Sequence, residues 1–282
     1  MSTYEASESN QFLRQYTSAE EVAKYTPQTA GAGISYLLDH DYRSIYLQAL
    51  GLLSSSVGEQ DLNVLEFGCG AGMNLLRVLR LLREEGIKLN RAIGTDFSPI
   101  LIDIAKREAK QSLEQGELGK VEFLLAKNES IIPNLSTATG RDASIFRNAF
   151  HLVIGVNTIR YCHEAGNEME NAQQIFDLLV PGGICVIIDM NNRFLFFRSE
   201  LKNKLRWKKE KQCYIPSLEE YAAPFHKIGF EVLRTEHFCW VPHSGSKLMT
   251  AFFSRISAIL NAVAKHRAMR SLIISRKPML KP

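Results

Sequence analysis

The sequence predicts an α/β protein with a doubly wound, mostly parallel β-sheet. Apolar runs typical of strands alternate with segments of helical periodicity along its 282 residues. Residues 63–67 lead into a turn with Gly at every second position and then into a Leu/Arg helical pattern, as in a nucleotide-binding βαβ unit. A second apolar run ends in Asp96, about one βαβ repeat later. These observations place a ligand site at the carboxyl ends of the strands.

The turn after the first strand reads Glu-x-Gly-x-Gly-x-Gly from Glu66 to Gly72. Gly68 and Gly70 lack a Cβ atom, so the backbone can turn sharply and a ligand can approach it closely. A dinucleotide-binding turn has the spacing Gly-x-Gly-x-x-Gly, whereas Met73 stands at its last position here. The spacing therefore disfavours an NAD-dependent oxidoreductase.

The glycine turn resembles the first motif of the class I S-adenosylmethionine-dependent methyltransferases. Residues 91–99 resemble the second motif, and the turn Leu-x-Pro-Gly-Gly at 179–183 is similar to the approach to strand 5. The resemblance covers about residues 60–278 and implies a seven-stranded Rossmann-like sheet, with S-adenosylmethionine as the cofactor and an antiparallel last strand. The cofactor-binding residues carried over or expected nearby are Glu66, Gly68, Cys69, Gly70, Gly72, Asn74, Asp96, Phe97, Ser98, Asn128, Asn157 and Thr158.

The resemblance gives several of these residues a role. Glu66 would lie beside the methionine part of the cofactor, and the Asp96 carboxylate can accept hydrogen bonds from both ribose hydroxyls. Phe97 would lie against the adenine. Asn128 follows the third strand, where the family often has an acidic residue, and its carbonyl could accept the same bond from the adenine amino group. The alternative for Asp96 is a helix N-cap.

Residues 1–60 are predicted to form an N-terminal helical lid before the methyltransferase domain at 61–282. Helical periodicity runs from 17 to 53, with breaks near Pro27 and at 31–33, and a loop is predicted at 54–60. Tyr25 and Tyr36 are candidate substrate contacts in this lid. An aromatic side chain at helical spacing is otherwise a core residue.

The remaining elements follow from apolar runs and helical spacing. Helices are predicted at 73–85, 99–114 and 166–179, strands at 91–96, 121–126, 150–157, 184–190, 230–240 and 270–278, and an irregular segment at 130–149. A capping box begins a further helix at Ser217.

The segment after strand 4 is the predicted catalytic loop, because ligands lie at the carboxyl ends of parallel strands. His163 is the candidate general base, since its ordinary pKa lies near neutrality. Arg160 and Tyr161 are candidates to orient the acceptor. The alternative is that His163 is a cap or surface residue, since many methyltransferases need no base.

Two helical insertions, at about 192–216 and 242–268, follow strands 5 and 6 and would build the acceptor pocket. The first holds a basic amphipathic helix at 193–211, with Phe197 and Trp207 as candidate substrate contacts. Residues 1–192 hold 16 Lys and Arg against 24 Asp and Glu, whereas residues 193–282 hold 18 against 6. The basic portion suggests an anionic acceptor, a phospholipid surface or nucleic acid, or only a solvated helix packed on its own domain.

The proposed reaction is methyl transfer to an oxygen or nitrogen atom of a small-molecule acceptor with an apolar body and an anionic group. Peripheral membrane contact and a lipid-linked acceptor are an alternative. An RNA methyltransferase is disfavoured, because neither an RNA-binding module nor an Asn-Pro-Pro-aromatic motif is present. A non-catalytic scaffold is a further alternative.

The N-terminus carries no basic and apolar leader pattern, and no apolar run approaches the roughly 20 residues that span a bilayer. Five scattered cysteines form no Cys-x-x-Cys pair. A cytoplasmic protein without a metal site is therefore expected, and the sequence does not indicate an oligomeric state.

Overall fold

A computed structural model describes residues 32–58, 60–128, 130–194, 214–243 and 245–279. The candidate substrate contacts Tyr25, Phe197 and Trp207 lie outside these ranges, as does the basic segment 195–211. Their predicted roles remain predictions.

A seven-stranded sheet forms the centre of the described structure. Its strands are β1 (Leu62–Phe67), β2 (Leu89–Asp96), β3 (Val121–Leu125), β4 (Phe150–Val156), β5 (Leu179–Met190), β6 (Glu231–Phe238) and β7 (Arg270–Arg276). The spatial order is β3-β2-β1-β4-β5-β7-β6. The first five strands are parallel to their neighbours, whereas β7 runs antiparallel between β5 and β6. The predicted doubly wound, mostly parallel fold is confirmed.

Helices cover both faces of this sheet. They are α1 (Ala32–Tyr36), α2 (Tyr42–Val57), α3 (Met73–Glu84), α4 (Pro99–Ser112), α5 (Gln115–Leu118), α6 (Ile131–Thr139), α7 (Ile159–Ala165), α8 (Glu168–Leu178), α9 (Leu218–Ile228) and α10 (Lys247–Ala264). A π-helical turn, Leu37–Asp41, joins α1 to α2, and short 3-10 helices occur at Ala143–Phe146 and Lys265–Arg267. None of these described helices is long and apolar enough to cross a membrane.

Successive side chains of the central strands enter two separate cores, as the period of a β-strand requires. On β4, Leu152 and Ile154 pack in the core under α2, α3 and α4. Val153 packs on the opposite face, in the core under α6, α8 and α9. Because β4 is buried on both faces along its whole length, it reads in the sequence as a continuous apolar run.

The segment 130–149, predicted to be irregular, contains α6 and a 3-10 helix. This segment contains Pro133, which is unfavourable in a helix interior, but Pro133 lies in the first turn of α6, where its missing N–H would have no partner within the helix. Gly140 ends this helix in the left-handed conformation. The prediction of a loop was wrong for this reason.

Two further boundaries differ from the sequence prediction. The helix α2 continues through the serine run to Val57, where the Ser54 and Ser56 hydroxyls donate to the carbonyls of Leu50 and Leu52 within the helix and Ser56 also donates to Gly182 O (2.9 Å). The strand β5 begins at Leu179, before the Pro-Gly-Gly turn, because Leu179 already pairs with Phe150 of β4.

Candidate functional site

A cavity of about 580 Å³ opens at the carboxyl ends of β1, β2, β4 and β5. It brings together most of the described residues that the sequence predicted for the cofactor and the acceptor. Those lining it are Gly68, Cys69, Gly70, Asn74, Asp96, Phe97, Asn128, Asn157, Thr158, Arg160 and Tyr161. These residues come from four separate stretches of the chain, so the parallel sheet alone accounts for their proximity.

The glycine turn after β1 is shaped for close approach by the chain and by a ligand. A Cβ atom on Gly68 would lie 2.1 Å from Cγ2 of Thr158, and the Gly68 φ angle is +63°. A Cβ atom on Gly70, with φ +55°, would meet nothing within 4 Å, although Gly70 lines the cavity. Gly68 is therefore needed for packing of the turn, whereas Gly70 leaves open space where a cofactor can lie.

Asp96 anchors the glycine turn and faces the cavity. Its Oδ2 accepts a hydrogen bond from Gly70 N (2.9 Å), and its Oδ1 accepts one from Ser98 N (2.9 Å). The side chain is buried, and burial raises the pKa of this carboxyl above its ordinary value. The backbone N–H of Phe97 also donates to this carboxylate, so three of its roughly four acceptor sites are used and one remains for a ligand hydroxyl.

Glu66 lies behind the cavity wall, so its predicted contact with the methionine part of the cofactor receives no support from its position. It is completely buried, and its Oε2 accepts a hydrogen bond from Leu75 N (2.9 Å) in the first turn of α3. Burial raises the pKa of Glu66 from its ordinary 4.5 to about 8. Asn74, which does line the cavity, hydrogen-bonds Glu66 and accepts from the hydroxyl of Tyr46 (3.1 Å). Glu66 thus ties β1 to the start of α3.

Two more of the predicted cofactor residues lie outside the set that lines the cavity. Gly72 precedes α3 and packs against the ring of Phe123, with which a Cβ atom would be in contact at 3.0 Å. Ser98 is the N-cap of α4, where its Oγ accepts a hydrogen bond from Leu101 N (3.3 Å). Gly72 supports the glycine turn and Ser98 supports the loop after β2, both from outside the cavity lining.

Several buried polar atoms on the cavity wall have no hydrogen-bond partner among the described residues, and they include Oδ1 of Asn128, Oγ1 of Thr158 and Oδ1 of Asn167. An unpaired buried polar group is costly unless a ligand or water completes it. The Asn128 carbonyl oxygen can accept the amino group of an adenine, which agrees with the adenine-binding role predicted from the sequence. Together with the open space at Gly70 and the Asp96 carboxylate, these atoms fit S-adenosylmethionine.

Arg160 and Tyr161 form a rigid polar wall on the side of the cavity away from β2. Nη1 of Arg160 donates to Oδ1 of Asp189 (2.7 Å), and both side chains are at most 5% exposed. Nη2 donates to the hydroxyl of Tyr161 (2.7 Å), and the guanidinium lies 4.3 Å from the centre of the Tyr161 ring. Because the guanidinium is held by a carboxylate, a hydroxyl and a ring, it can position a ligand without reorganising.

His163 is not among the residues that line the cavity. Its ring packs edge-on against Tyr221 of α9, with the ring centres 5.4 Å apart. Burial lowers the pKa of His163, so the neutral imidazole is favoured. The histidine belongs to the contact between α7 and α9, and this placement argues against its predicted role as a general base.

The cavity also has wall residues that the sequence analysis did not name. The N-terminal helical segment contributes an apolar wall of Ile34, Leu37, Leu38 and Tyr42. Tyr36, the predicted contact from this segment, packs instead against His40, with the ring centres 4.5 Å apart and the rings tilted by 39°. Helical spacing showed that one face is apolar, but the positions that turn toward the cavity depend on the π-helical turn after α1.

A second wall comes from the segments on either side of α10 and includes His243, Met269 and Arg270. His243 lies within the insertion predicted at 242–268, whereas Met269 and Arg270 follow it. Arg270 is the first residue of the apolar strand β7, and a charged residue at the start of such a strand is a sequence signal for a site residue. Its meaning required the sheet order, because the antiparallel β7 pairs Arg270 with Met190 and so brings it to the carboxyl ends of the parallel strands.

Comparison with known families gives one match over most of the chain. A family model described as a methyltransferase domain matches residues 38–235. Comparison with curated protein sequences gives no match.

Comparison with solved structures gives many matches at low sequence identity. A methyltransferase from Aquifex aeolicus that depends on S-adenosylmethionine has a TM-score of 0.50 at 14% identity, covering 86% of this chain and 92% of that one. One from Mesorhizobium loti has a TM-score of 0.50 at 15% identity, with 80% and 96% covered. The (4+2)-cyclase SpnF has a TM-score of 0.52 at 16% identity, with 84% and 82% covered. Since a cyclase shares the fold, these likenesses establish the fold alone.

Proposed function

Because the chain belongs to the class I S-adenosylmethionine-dependent methyltransferase family, we propose that it methylates an oxygen or nitrogen atom of a small-molecule acceptor with an apolar body and an anionic group. The observation that carries this proposal is the continuity of the cavity. One space extends from the glycine turn and Asp96 to the apolar wall of Ile34, Leu37 and Leu38. A polar end for the cofactor and an apolar end for the acceptor support a reaction between the two in this space.

The residues of this chain bind and orient. Asp96 and Asn128 supply hydrogen-bond acceptors for the nucleoside, and Gly70 leaves room for it. When bound, S-adenosylmethionine supplies a methyl group whose bond to sulfur breaks as a lone pair of the acceptor forms the new bond, leaving S-adenosylhomocysteine. The Arg160 and Tyr161 wall lies at the end of β4, where it can hold the acceptor in line. Positioning of this kind contributes several kcal/mol to the reduction of a barrier.

Calorimetric titration with S-adenosylmethionine and S-adenosylhomocysteine tests the proposed cofactor site, with NAD as the control ligand. Micromolar binding of both compounds is expected, with a loss of about tenfold or more in Asp96→Asn, which keeps one oxygen acceptor. Asp103→Asn, on the exposed side of α4, is the matched control and should bind as the wild type does. Binding of NAD alone, or no binding, would refute the proposal. Methyl transfer from labelled S-adenosylmethionine to a panel of carboxylated acceptors then tests the reaction.

A second candidate function is methylation of a lipid-linked acceptor at an anionic membrane surface, and α10 is the observation that favours it. One side of this helix carries apolar side chains that are largely exposed, namely Leu248 (85%), Phe252 (58%), Ile259 (65%) and Val263 (72%). No Asp or Glu follows Glu236, whereas eight Lys and Arg do. An exposed apolar stripe with basic surroundings is typical of helices that lie in the plane of an anionic bilayer.

Co-sedimentation with vesicles of phosphatidylcholine and phosphatidylglycerol tests this second candidate. Phe252→Ser combined with Ile259→Ser should abolish vesicle binding, and Ala258→Ser, at an exposed position outside this apolar stripe, should not change it. Binding that needs no anionic lipid, or that survives the double substitution, would contradict the candidate.

A further inference from the structure

Arg270 is a buried cation at the far end of the cavity. It is only 3% exposed, yet it lines the cavity as the first residue of β7. The sheet order separates β7 from β2 by four strand spacings, or about 19 Å. Arg270 therefore lies on the opposite side of the cavity from Asp96, against Asn157 at the end of β4.

The guanidinium of Arg270 is incompletely paired. Its Nη1 donates to Oδ1 of Asn157, and its Nε has no hydrogen-bond partner in the part of the chain that the structure describes. Within the same described residues no carboxylate forms a salt bridge with it, whereas the neighbouring Arg160 is paired with Asp189. A buried arginine without a counter-charge is unfavourable by itself, so this position favours an anionic ligand.

Asn157, the hydrogen-bond partner of Arg270, has an uncommon backbone conformation. It follows β4 in the left-handed conformation, with φ +58°. Asparagine tolerates this conformation better than most residues, and it occurs where the surrounding structure imposes it. The turn directs the Asn157 side chain to Arg270, and both residues line the cavity.

The groups around Arg270 add donors but little negative charge. Tyr42 and His243 line the same part of the cavity, and the charge of Arg270 acts to lower the pKa of each. Burial, and then Arg270, lowers the pKa of His243 to about 4, so this imidazole is neutral near pH 7 and offers an N–H donor. Of the nearby carboxyls, Asp189 is bound to Arg160, and Asp41 hydrogen-bonds Cys239.

We propose that Arg270 binds a carboxylate of the methyl acceptor, with Tyr42 and His243 as neighbouring donors. The planar guanidinium matches a carboxylate in two parallel hydrogen bonds, which fixes the orientation of the ligand as well as its position. The apolar wall of Ile34, Leu37 and Leu38 then covers the body of the acceptor. This inference rests on the proposed function, because it assigns the acceptor end of the same cavity.

Matched pairs of probes test the inference: octanoate against octanamide, and benzoate against benzamide. Each probe is titrated calorimetrically into the protein with and without saturating S-adenosylhomocysteine. At least one carboxylate should bind more tightly than its amide, and Arg270→Met should weaken it about tenfold or more. Arg270→Lys should restore part of the affinity. Arg276→Met, at the exposed end of β7 where Arg276 pairs with Glu231, is the matched control and should bind like the wild type.

Three results would overturn the inference. The first is equal binding of carboxylate and amide in both pairs. The second is unchanged carboxylate binding in Arg270→Met. The third is that Arg270→Met weakens S-adenosylhomocysteine but not 5′-methylthioadenosine, which lacks the amino acid portion, because Arg270 would then bind the carboxylate of the cofactor.

The stability of the ligand-free variant separates a binding role from a structural one. If Arg270 lacks a counter-charge, Arg270→Met should melt at or above the wild-type temperature. A large drop in melting temperature would show that Arg270 is needed for folding and would contradict the inference. Failure of S-adenosylhomocysteine to bind the wild type would refute the proposed function, while the titrations without it still decide the role of Arg270.

Discussion

Replacing Glu66 with Gln should make the stability of the protein less dependent on pH. The side chain is completely buried, and burial raises its pKa from 4.5 to about 8. Between these two values the folded protein retains the proton and the unfolded chain releases it. The free energy of unfolding of the wild type therefore falls as the pH rises, and this loss is complete above about pH 8.

The magnitude follows from the two pKa values. Each pKa unit corresponds to about 1.4 kcal/mol, so the full effect is about 5 kcal/mol and the part between about pH 5.5 and pH 8 is about 3 kcal/mol. Glu66→Gln removes the titration but keeps an oxygen that can accept from Leu75 N. The stability of the wild type relative to Glu66→Gln should fall by about 3 kcal/mol over this interval.

Urea denaturation without ligand, repeated across this pH interval, measures the difference. The contributions of the other titrating groups are the same in both proteins, so they cancel in the difference between the two free energies of unfolding. Glu85→Gln, at an exposed carboxyl just after α3, is the control and should follow the wild type. Parallel pH profiles for the wild type and Glu66→Gln would refute the reasoning, because they would show that Glu66 is not the buried, protonated group.

Other substitutions test the cavity and its supports. Gly70→Ala should weaken S-adenosylhomocysteine binding about tenfold, since its Cβ atom would enter the open space of the cavity. Gly140→Ala, which also has a positive φ (+66°) and no close neighbours but lies outside the cavity lining, is the matched control and should not weaken it; equal affinities by calorimetry would contradict this. Arg160→Met should destabilise the fold by about 3 to 5 kcal/mol in urea, because Asp189 is left buried without its partner, and adding Asp189→Asn should recover most of the loss. Ser217→Ala should lower the free energy of unfolding by about 1 kcal/mol, because it removes the N-cap of α9. No change in the urea midpoint would show that this cap contributes nothing.

The strands and the cofactor half of the cavity could be predicted from local patterns. The continuous apolar run of β4 and the glycine turn are local signals, since burial on both faces and close backbone approach each demand particular residue types at adjacent positions. The same reasoning located Asp96, because the carboxyl ends of parallel strands lie at one edge. For these features the order of residues along the chain was sufficient.

The direction in which a motif side chain points could not be predicted from local patterns. Glu66 and Gly70 belong to one motif, yet Glu66 is buried against α3 while Gly70 lines the cavity. His163 and Tyr161 are two residues apart in α7, but the helix turns His163 toward α9 and Tyr161 toward the cavity. Two residues apart in an α-helix, side chains point to nearly opposite sides, about 200° around the helix axis. Only the packing of α7 on the sheet decides which of the two faces the ligand.

The proposed acceptor half of the cavity depends on contacts between distant segments. Arg270 and Asn157 are 113 positions apart in the chain, and they meet because β7 inserts antiparallel beside β5. No local pattern encodes that juxtaposition, since a charged residue at the start of a strand is normally solvated at the surface. The amino-acid sequence therefore specifies the cofactor and the class of reaction through short motifs. The charge and shape of the proposed acceptor site arise only when β7 pairs beside β5 and Arg270 is buried.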